Sequence, residues 1–228
     1  MIVFNCALGT STPTDTNTLL LVRGGGVAGT NVFTDLGTAA TCPHTLTASG
    51  NPPQYSNTQT KFAATSIYFN GTGGRWITTT APDTDWAFGS GSFTIDMWIY
   101  KGAGSGVLIG NTYNTNTFWA LRTNISSPGN LLFNYGNGLD GTSTSTIPNN
   151  TWTHVAFERY LNTGYFYFNG TKDATTINLA AFPQTGLSDL FIGNIGADVP
   201  ITAYFDEIRV SNTARYQGSN FVPETAPY

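Results

Sequence analysis

The sequence predicts an all-β chain folded as a two-sheet antiparallel β-sandwich, on three observations. Apolar residues recur in short runs of strand length, several of them alternating with polar residues. Gly, Asn, Thr and Pro separate these runs at short spacing. No long segment carries helical periodicity. Many short strands joined by turn-rich links, with no helix to cover a face, must bury their apolar sides against a second sheet.

The elements follow in chain order. Leu19 to Val22 is a continuous apolar run. Ser66 to Phe69 and Trp76 to Thr79 are expected to form a hairpin around the Asn70–Gly74 turn. Phe93 to Tyr100 alternates, placing Phe93, Ile95, Met97 and Ile99 on one face. Further strands are expected at Gly106 to Ile109, Phe118 to Arg122, Leu131 to Tyr135, Trp152 to Arg159, Tyr165 to Phe168, Leu190 to Ile192 and Tyr204 to Val210. Asn169-Gly170 after an aromatic run is a hairpin turn signal.

The 228 residues read as one domain, residues 18–228, with an arm and linker at residues 1–17. Thr10 to Asn17 is polar and proline-bearing, and the short apolar segment before it is expected to be an edge strand or an anchor to a neighbouring subunit. Hydrophobic residues make up 40%, enough for a sizeable core, whereas charged residues are only 10% against about 25% in an average domain. A charge-poor surface suits packing among subunits, since few charges need to lose water. The net charge is −4 and the nine Lys and Arg are scattered, so a clustered phosphate-binding footprint is missing and nucleic acid is excluded as a partner. No run approaches the roughly 20 apolar residues of a membrane helix, and the amino terminus lacks a basic region and a long apolar core, so neither membrane insertion nor secretion is expected. Cys6 and Cys42, with two histidines in the chain, make no zinc pattern; they read as free thiols or as one bridge.

Four segments resemble one family. They are Trp86 to Trp98 (WAFGSGSFTIDMW), Thr151 to Arg159 (TWTHVAFER), Tyr165 to Gly170 (YFYFNG), and the closing strand Tyr204 to Tyr216 (YFDEIRVSNTARY) with its tail to Tyr228. In this order they are similar to LamG-like domains of the concanavalin A-type lectin and glucanase jelly rolls, in a wording common among bacteriophage virion proteins. The resemblance implies a jelly roll and a non-catalytic virion surface protein, a capsid decoration or tail-fibre component. Such a protein is made in the host cytoplasm, binds neighbouring subunits through its arm, forms a homo-oligomer (a trimer by analogy) and has a glycan-binding adhesion role. Two alternatives stay open: a carbohydrate-binding module of a bacterial secreted or cell-surface protein, and a structural cement protein without a ligand.

Catalysis is not expected. Glycoside hydrolysis needs two carboxylates roughly 5–9.5 Å apart, and none of the three glutamates (Glu158, Glu207, Glu224) begins the Glu-x-Asp-x-x-Glu pattern of related glucanases. Asp206 and Glu207 are adjacent, so a regular strand sends them to opposite faces. His154 reads as a half-buried structural residue, and no nucleophile elbow occurs. For ligands, the loops holding Tyr113, Asn114 and Asn116, and Tyr135, Asn137 and Asp140, mix aromatic rings with short amides suited to sugar hydroxyls. No cofactor is required. The resemblance implies a structural Ca2+ on Asp206, with Asp35 as a second ligand. Val22-Arg-Gly-Gly-Gly26 replaces the acidic residue that relatives carry near the first strand, and the alternative has Asp206 bonding backbone amides or Arg209.

Overall fold

A computed structural model describes residues 15–50, 52–111, 118–136, 139–180, 182, 187–195 and 199–228, with Leu139 and Asp140 described by their backbone alone. Among these residues fifteen strands occur: β1 (Thr18–Val22), β2 (Leu46–Ser49), β3 (Gln54–Ser56), β4 (Ser66–Asn70), β5 (Trp76–Thr79), β6 (Phe93–Lys101), β7 (Val107–Asn111), β8 (Trp119–Thr123), β9 (Asn130–Tyr135), β10 (Leu139–Thr146), β11 (Trp152–Tyr160), β12 (Thr163–Phe168), β13 (Thr171–Asn178), β14 (Leu190–Ile192) and β15 (Thr202–Ser211). A 3-10 turn, Thr84–Trp86, precedes β6.

The strands form two antiparallel sheets. The first runs β13-β12-β11-β6-β15-β4-β3, with β1 also on β15; the second runs β10-β9-β8-β7-β14-β5-β2. The long β15 serves two partners on one side, β4 along Thr202 to Phe205 and β1 along Ile208 to Ser211, and pairs with β6 on the other. The switch falls at a bulge between Asp206 and Arg209, where Glu207 takes φ 52°. The bulge breaks the expected alternation. Asp206 lies opposite Trp98 on the outer face, and Glu207 reaches the same side, its Oε2 accepting from the Tyr228 amide at 2.8 Å.

The core lies between the sheets. Phe93, Ile95, Met97 and Ile99 face it as their alternation predicts, against Ile109, Trp119, Leu121, Leu131 and Phe133 of the second sheet. Phe133 and Phe157 stack across the gap with centroids 3.9 Å apart. At one edge Asp173 joins the two sheets: its carboxylate accepts from the amides of Thr144 (3.0 Å), Ser145 (2.7 Å) and Thr175 (2.8 Å). Burial opposes the anion there, but these hydrogen bonds outweigh it and hold the carboxyl well below the ordinary range.

The expected β4–β5 hairpin does not form. β4 lies in the first sheet and β5 in the second, and Gly71 to Arg75 carries the chain across the sandwich. Phe69 and Ile77 both enter the core from opposite sides, which one flat hairpin would not allow. Gly71 takes φ 72° and a Cβ there would lie 2.0 Å from Thr202 Oγ1, so the crossing passes too close to β15 for any other residue.

Residues 212–228 cross the outer face of the first sheet. Tyr216 and Phe221 stack at 3.6 Å and pack on Tyr167 and Ala156. Beneath them Asp96 and Arg209, both fully buried, pair at 3.0 Å. The hydroxyls of Tyr216 and Tyr228 donate to Asp96 at 3.1 and 2.9 Å, and the Arg209 guanidinium lies 3.7 Å over the Tyr228 ring. Glu158 accepts from Tyr167 Oη and from the amides of Tyr216 and Gly218. His154 is fully buried rather than half-buried, 3.3 Å from the Tyr228 hydroxyl. The buried charges of Asp96, Arg209 and Glu158 are paired, as burial requires, and with His154 they fasten the tail.

Candidate functional site

Beyond the tail, the outer face of the first sheet carries a row of aromatic side chains in register. Trp152 of β11 lies opposite Tyr100 of β6, Tyr100 opposite Tyr204 of β15, Tyr204 opposite Tyr68 of β4, and Tyr68 opposite Gln54 of β3. Residues directly opposite in antiparallel strands share a face, so five strands align four rings and an amide. Tyr68 and Tyr204 stack at 4.5 Å; Tyr100 meets Tyr204 and Trp152 edge-on, each at 5.9 Å. All four rings are partly exposed and Gln54 is exposed.

Nearby contacts fix the row. The buried Lys101 ammonium donates to Gly102 O, Gly104 O and Asn149 Oδ1 at 2.6–3.1 Å, and its own carbonyl accepts from Asn150, which holds the turn leading into Trp152. Burial and the neighbouring Tyr68 hydroxyl push the Tyr204 phenol up, so it stays a neutral donor. At the β3–β4 end the row opens into a cleft of about 210 Å³ lined by Pro52, Gln54, Tyr68, Asn70 and Arg75. Flat rings beside amides and a guanidinium suit a polyhydroxylated ligand: the rings cover the apolar ring face, and the polar groups match hydroxyls or a carboxylate.

Of the sequence-predicted glycan residues, Tyr135 of β9 and the backbone of Asp140 in β10 belong to the second sheet. Tyr113, Asn114, Asn116 and Asn137 fall outside the described residues, and of Asp140 only the backbone is described, paired with Asn134. Tyr135 is only 5% exposed; its hydroxyl donates to Asn178 O at 3.0 Å and its ring packs on Phe133 and Phe182. That burial leaves it no face for a sugar, a correction to its expected role. The signal for the observed row was the set of aromatic residues at outward positions of strands whose inward positions are apolar.

Asp206 and Asp35 bond to different segments. Asp206 Oδ1 accepts from the amides of Gly24 (2.7 Å) and Glu207 (3.0 Å), while Oδ2 is buried without a hydrogen-bond partner. Burial pushes the Asp206 carboxyl up. Arg209 pairs with Asp96. Asp35 is saturated: Oδ1 accepts from the amides of Leu21 and Gly37, and Oδ2 meets both the amide and Nδ1 of His44. A calcium cage wants six to eight oxygens; Asp206 offers one, flanked by amide donors, and Asp35 offers none. The donor set does not fit a calcium shared between them. Cys42 carries a free thiol whose Sγ donates to Leu19 O at 2.9 Å; Cys6 lies outside the described residues.

The fold is a lectin-like β-sandwich, with a row of partly exposed aromatic rings on the outer face of its first sheet. The family described as the concanavalin A-like lectin/glucanases superfamily, of laminin G type, matches residues 70–218, and the chain belongs to it. No curated protein matches the sequence. Among solved structures, the binding domain of Paraclostridial Mosquitocidal Protein 1 superposes with a TM-score of 0.65 at 16% identity, over 87% of this chain and 49% of that one. The binding domain of botulinum neurotoxin serotype G gives 0.61 at 10% identity, over 87% and 48%. That of botulinum neurotoxin DC, solved in complex with SialylT, gives 0.62 at 14% identity, over 87% and 48%. At such identities the likeness is one of fold, and this chain spans about half the length of each.

Proposed function

We propose that this chain is a non-catalytic binding domain that recognises carbohydrate on the row Trp152, Tyr100, Tyr204 and Tyr68, with Gln54, Asn70 and Arg75 reading hydroxyl or acidic groups in the adjoining cleft. The observation that carries the reading is the in-register alignment of these rings across four neighbouring strands. Membership in a lectin and glucanase superfamily and the likeness to binding domains support it. The setting rests on the sequence wording alone: a virion surface, with neighbouring subunits engaged through residues 1–17 and a trimeric assembly. A carbohydrate-binding module of a bacterial surface protein would use the same site.

A glycan array comparing the wild type with Trp152→Ala and Tyr68→Ala tests the reading. Burying one ring is worth about 1.5–3 kcal/mol, so each variant should lose at least about tenfold in affinity while keeping its fold. A blank array from folded wild-type protein would overturn the carbohydrate reading and favour a structural role.

A further inference from the structure

A second polar cluster forms where the loop between β1 and β2 meets the 3-10 turn before β6. It gathers Asp35, Cys42, His44, Asp83 and Asp85. The ladder of β2 with β5, from Leu46–Thr79 to Ser49–Trp76, separates it from the cleft beside Arg75, so the two sites stand apart.

The geometry points to a divalent transition-metal site in which His44 Nε2 and the carboxylates of Asp83 and Asp85 are the ligands and Asp35 orients the imidazole from behind. The His44 side chain is only 6% exposed. Its Nδ1 lies 2.9 Å from Asp35 Oδ2, which is itself fixed by the His44 amide. A carboxylate only accepts, so Nδ1 carries the proton and Nε2 presents either a lone pair or a second proton. Nε2 is buried, has no hydrogen-bond partner, and lies 3.3 Å from Asp85 Oδ2 and 3.8 Å from Asp83 Oδ2. A bare lone pair facing two carboxylates is repelled. Something positive belongs between them.

The spacing fits a metal ion. Nitrogen and oxygen ligands about 2.0–2.2 Å from one cation stand about 3–3.5 Å apart at tetrahedral or octahedral angles, and the observed gaps need only small adjustments. The carboxylate behind the imidazole is the arrangement that fixes the tautomer of a metal-binding histidine and raises its basicity. Asp83 spends Oδ1 on the Asp85 amide at 3.0 Å, leaving Oδ2 for a metal, and Thr41 Oγ1 donates to Asp85 Oδ2. Asp83 and Asp85 are 31% and 12% exposed, which leaves an entry path and room for water ligands. Cys42 is unsuited to bind: its thiol donates to Leu19 O, and burial pushes it up to about 11. With one imidazole and two carboxylates and no thiolate, the donor set suits Mn2+ or Zn2+ better than soft metals or an all-oxygen calcium site. The His44 imidazole is raised in basicity, first by its hydrogen bond to Asp35 and then, against the cost of burial, by the surrounding carboxylates.

The test is titration of chelator-stripped protein at neutral pH with Mn2+, Zn2+ and Ca2+ by calorimetry, with pulsed EPR on the Mn2+ form. One equivalent of Mn2+ or Zn2+ should bind. Mn2+ should show nitrogen modulation from an imidazole, and Ca2+ should bind far more weakly. Asp85→Asn and Asp83→Asn keep shape and capping while removing charge, and each should weaken metal binding about tenfold or more with the fold intact by circular dichroism. No binding of Mn2+ or Zn2+ at millimolar metal, binding unchanged by both substitutions, or Mn2+ without imidazole coupling would each overturn the assignment. The outcome is independent of glycan binding.

Discussion

Asp96 shows what one residue can and cannot reveal. Its alternation with Ile95 and Met97 places it on the outer face, and that much was legible from the strand pattern. What was not legible is that residues more than a hundred positions later bury it, because the partners Tyr216 and Tyr228 lie beyond the last strand in polar, proline-bearing text. The same enclosure governs His154. Burial pushes its imidazole down to about 4, with Asp96 opposing the shift, whereas the unfolded value lies near 6.5. Between these values the unfolded chain binds more protons than the folded one. The contribution is therefore complete above about pH 6.5 and is lost as pH falls toward 4, a change on the order of 3 kcal/mol. Urea unfolding across this range should show stability falling with acid in the wild type and a flatter profile in His154→Gln. Equal slopes in the two proteins would show that His154 does not titrate in this way. Asp96 is held below its ordinary 3.8 despite burial, chiefly by Arg209, so its own contribution is lost only under more acid conditions.

At the scale of elements, the strands read from the sequence are those rich in apolar residues, and the strands missed are short or carry only one or two. β2 and β3 are short, while β10 and β13 are dominated by Thr, Ser and Asn and sit at or near sheet edges. Their pairing comes from backbone hydrogen bonds and from side-chain links such as that of Asp173, which leave no periodic trace. The β4–β5 misreading has a related cause: a Gly-rich link serves a tight turn and a crossing between sheets equally well. The Asn169-Gly170 turn was legible, and it also seats the tail. Gly170 takes φ 76°, its carbonyl accepts from the Phe221 amide at 2.9 Å, and an added Cβ would lie 2.0 Å from Phe221 O. Gly170→Ala should therefore cost about 1–3 kcal/mol and loosen the tail. Hydrogen exchange would report this as faster exchange at Phe221 and in the residues after Tyr216. Unchanged exchange there would show that the tail is held without this contact.

For the molecule as a whole, the sandwich was legible because a two-sheet core imposes its alternation on every central strand, whereas an outward row of rings imposes nothing of the kind. The aromatic row emerges only when β11, β6, β15 and β4, far apart in sequence, come into register. Of the residues that sequence reading favoured for a sugar, Tyr135 lies in the core, and Tyr113, Asn114, Asn116 and Asn137 lie outside the described residues. The molecule thus has two opposite uses for the outer face of one sheet: a tail seals part of it over buried charges, and the remainder stays partly open as aromatic rings. The measurement that tests this most directly is NMR chemical-shift mapping with a glycan that binds. Shifts centred on the Trp152 indole and on Tyr100, Tyr204, Tyr68 and Arg75 are the predicted result. A bound glycan whose shifts lie away from that row would contradict the account.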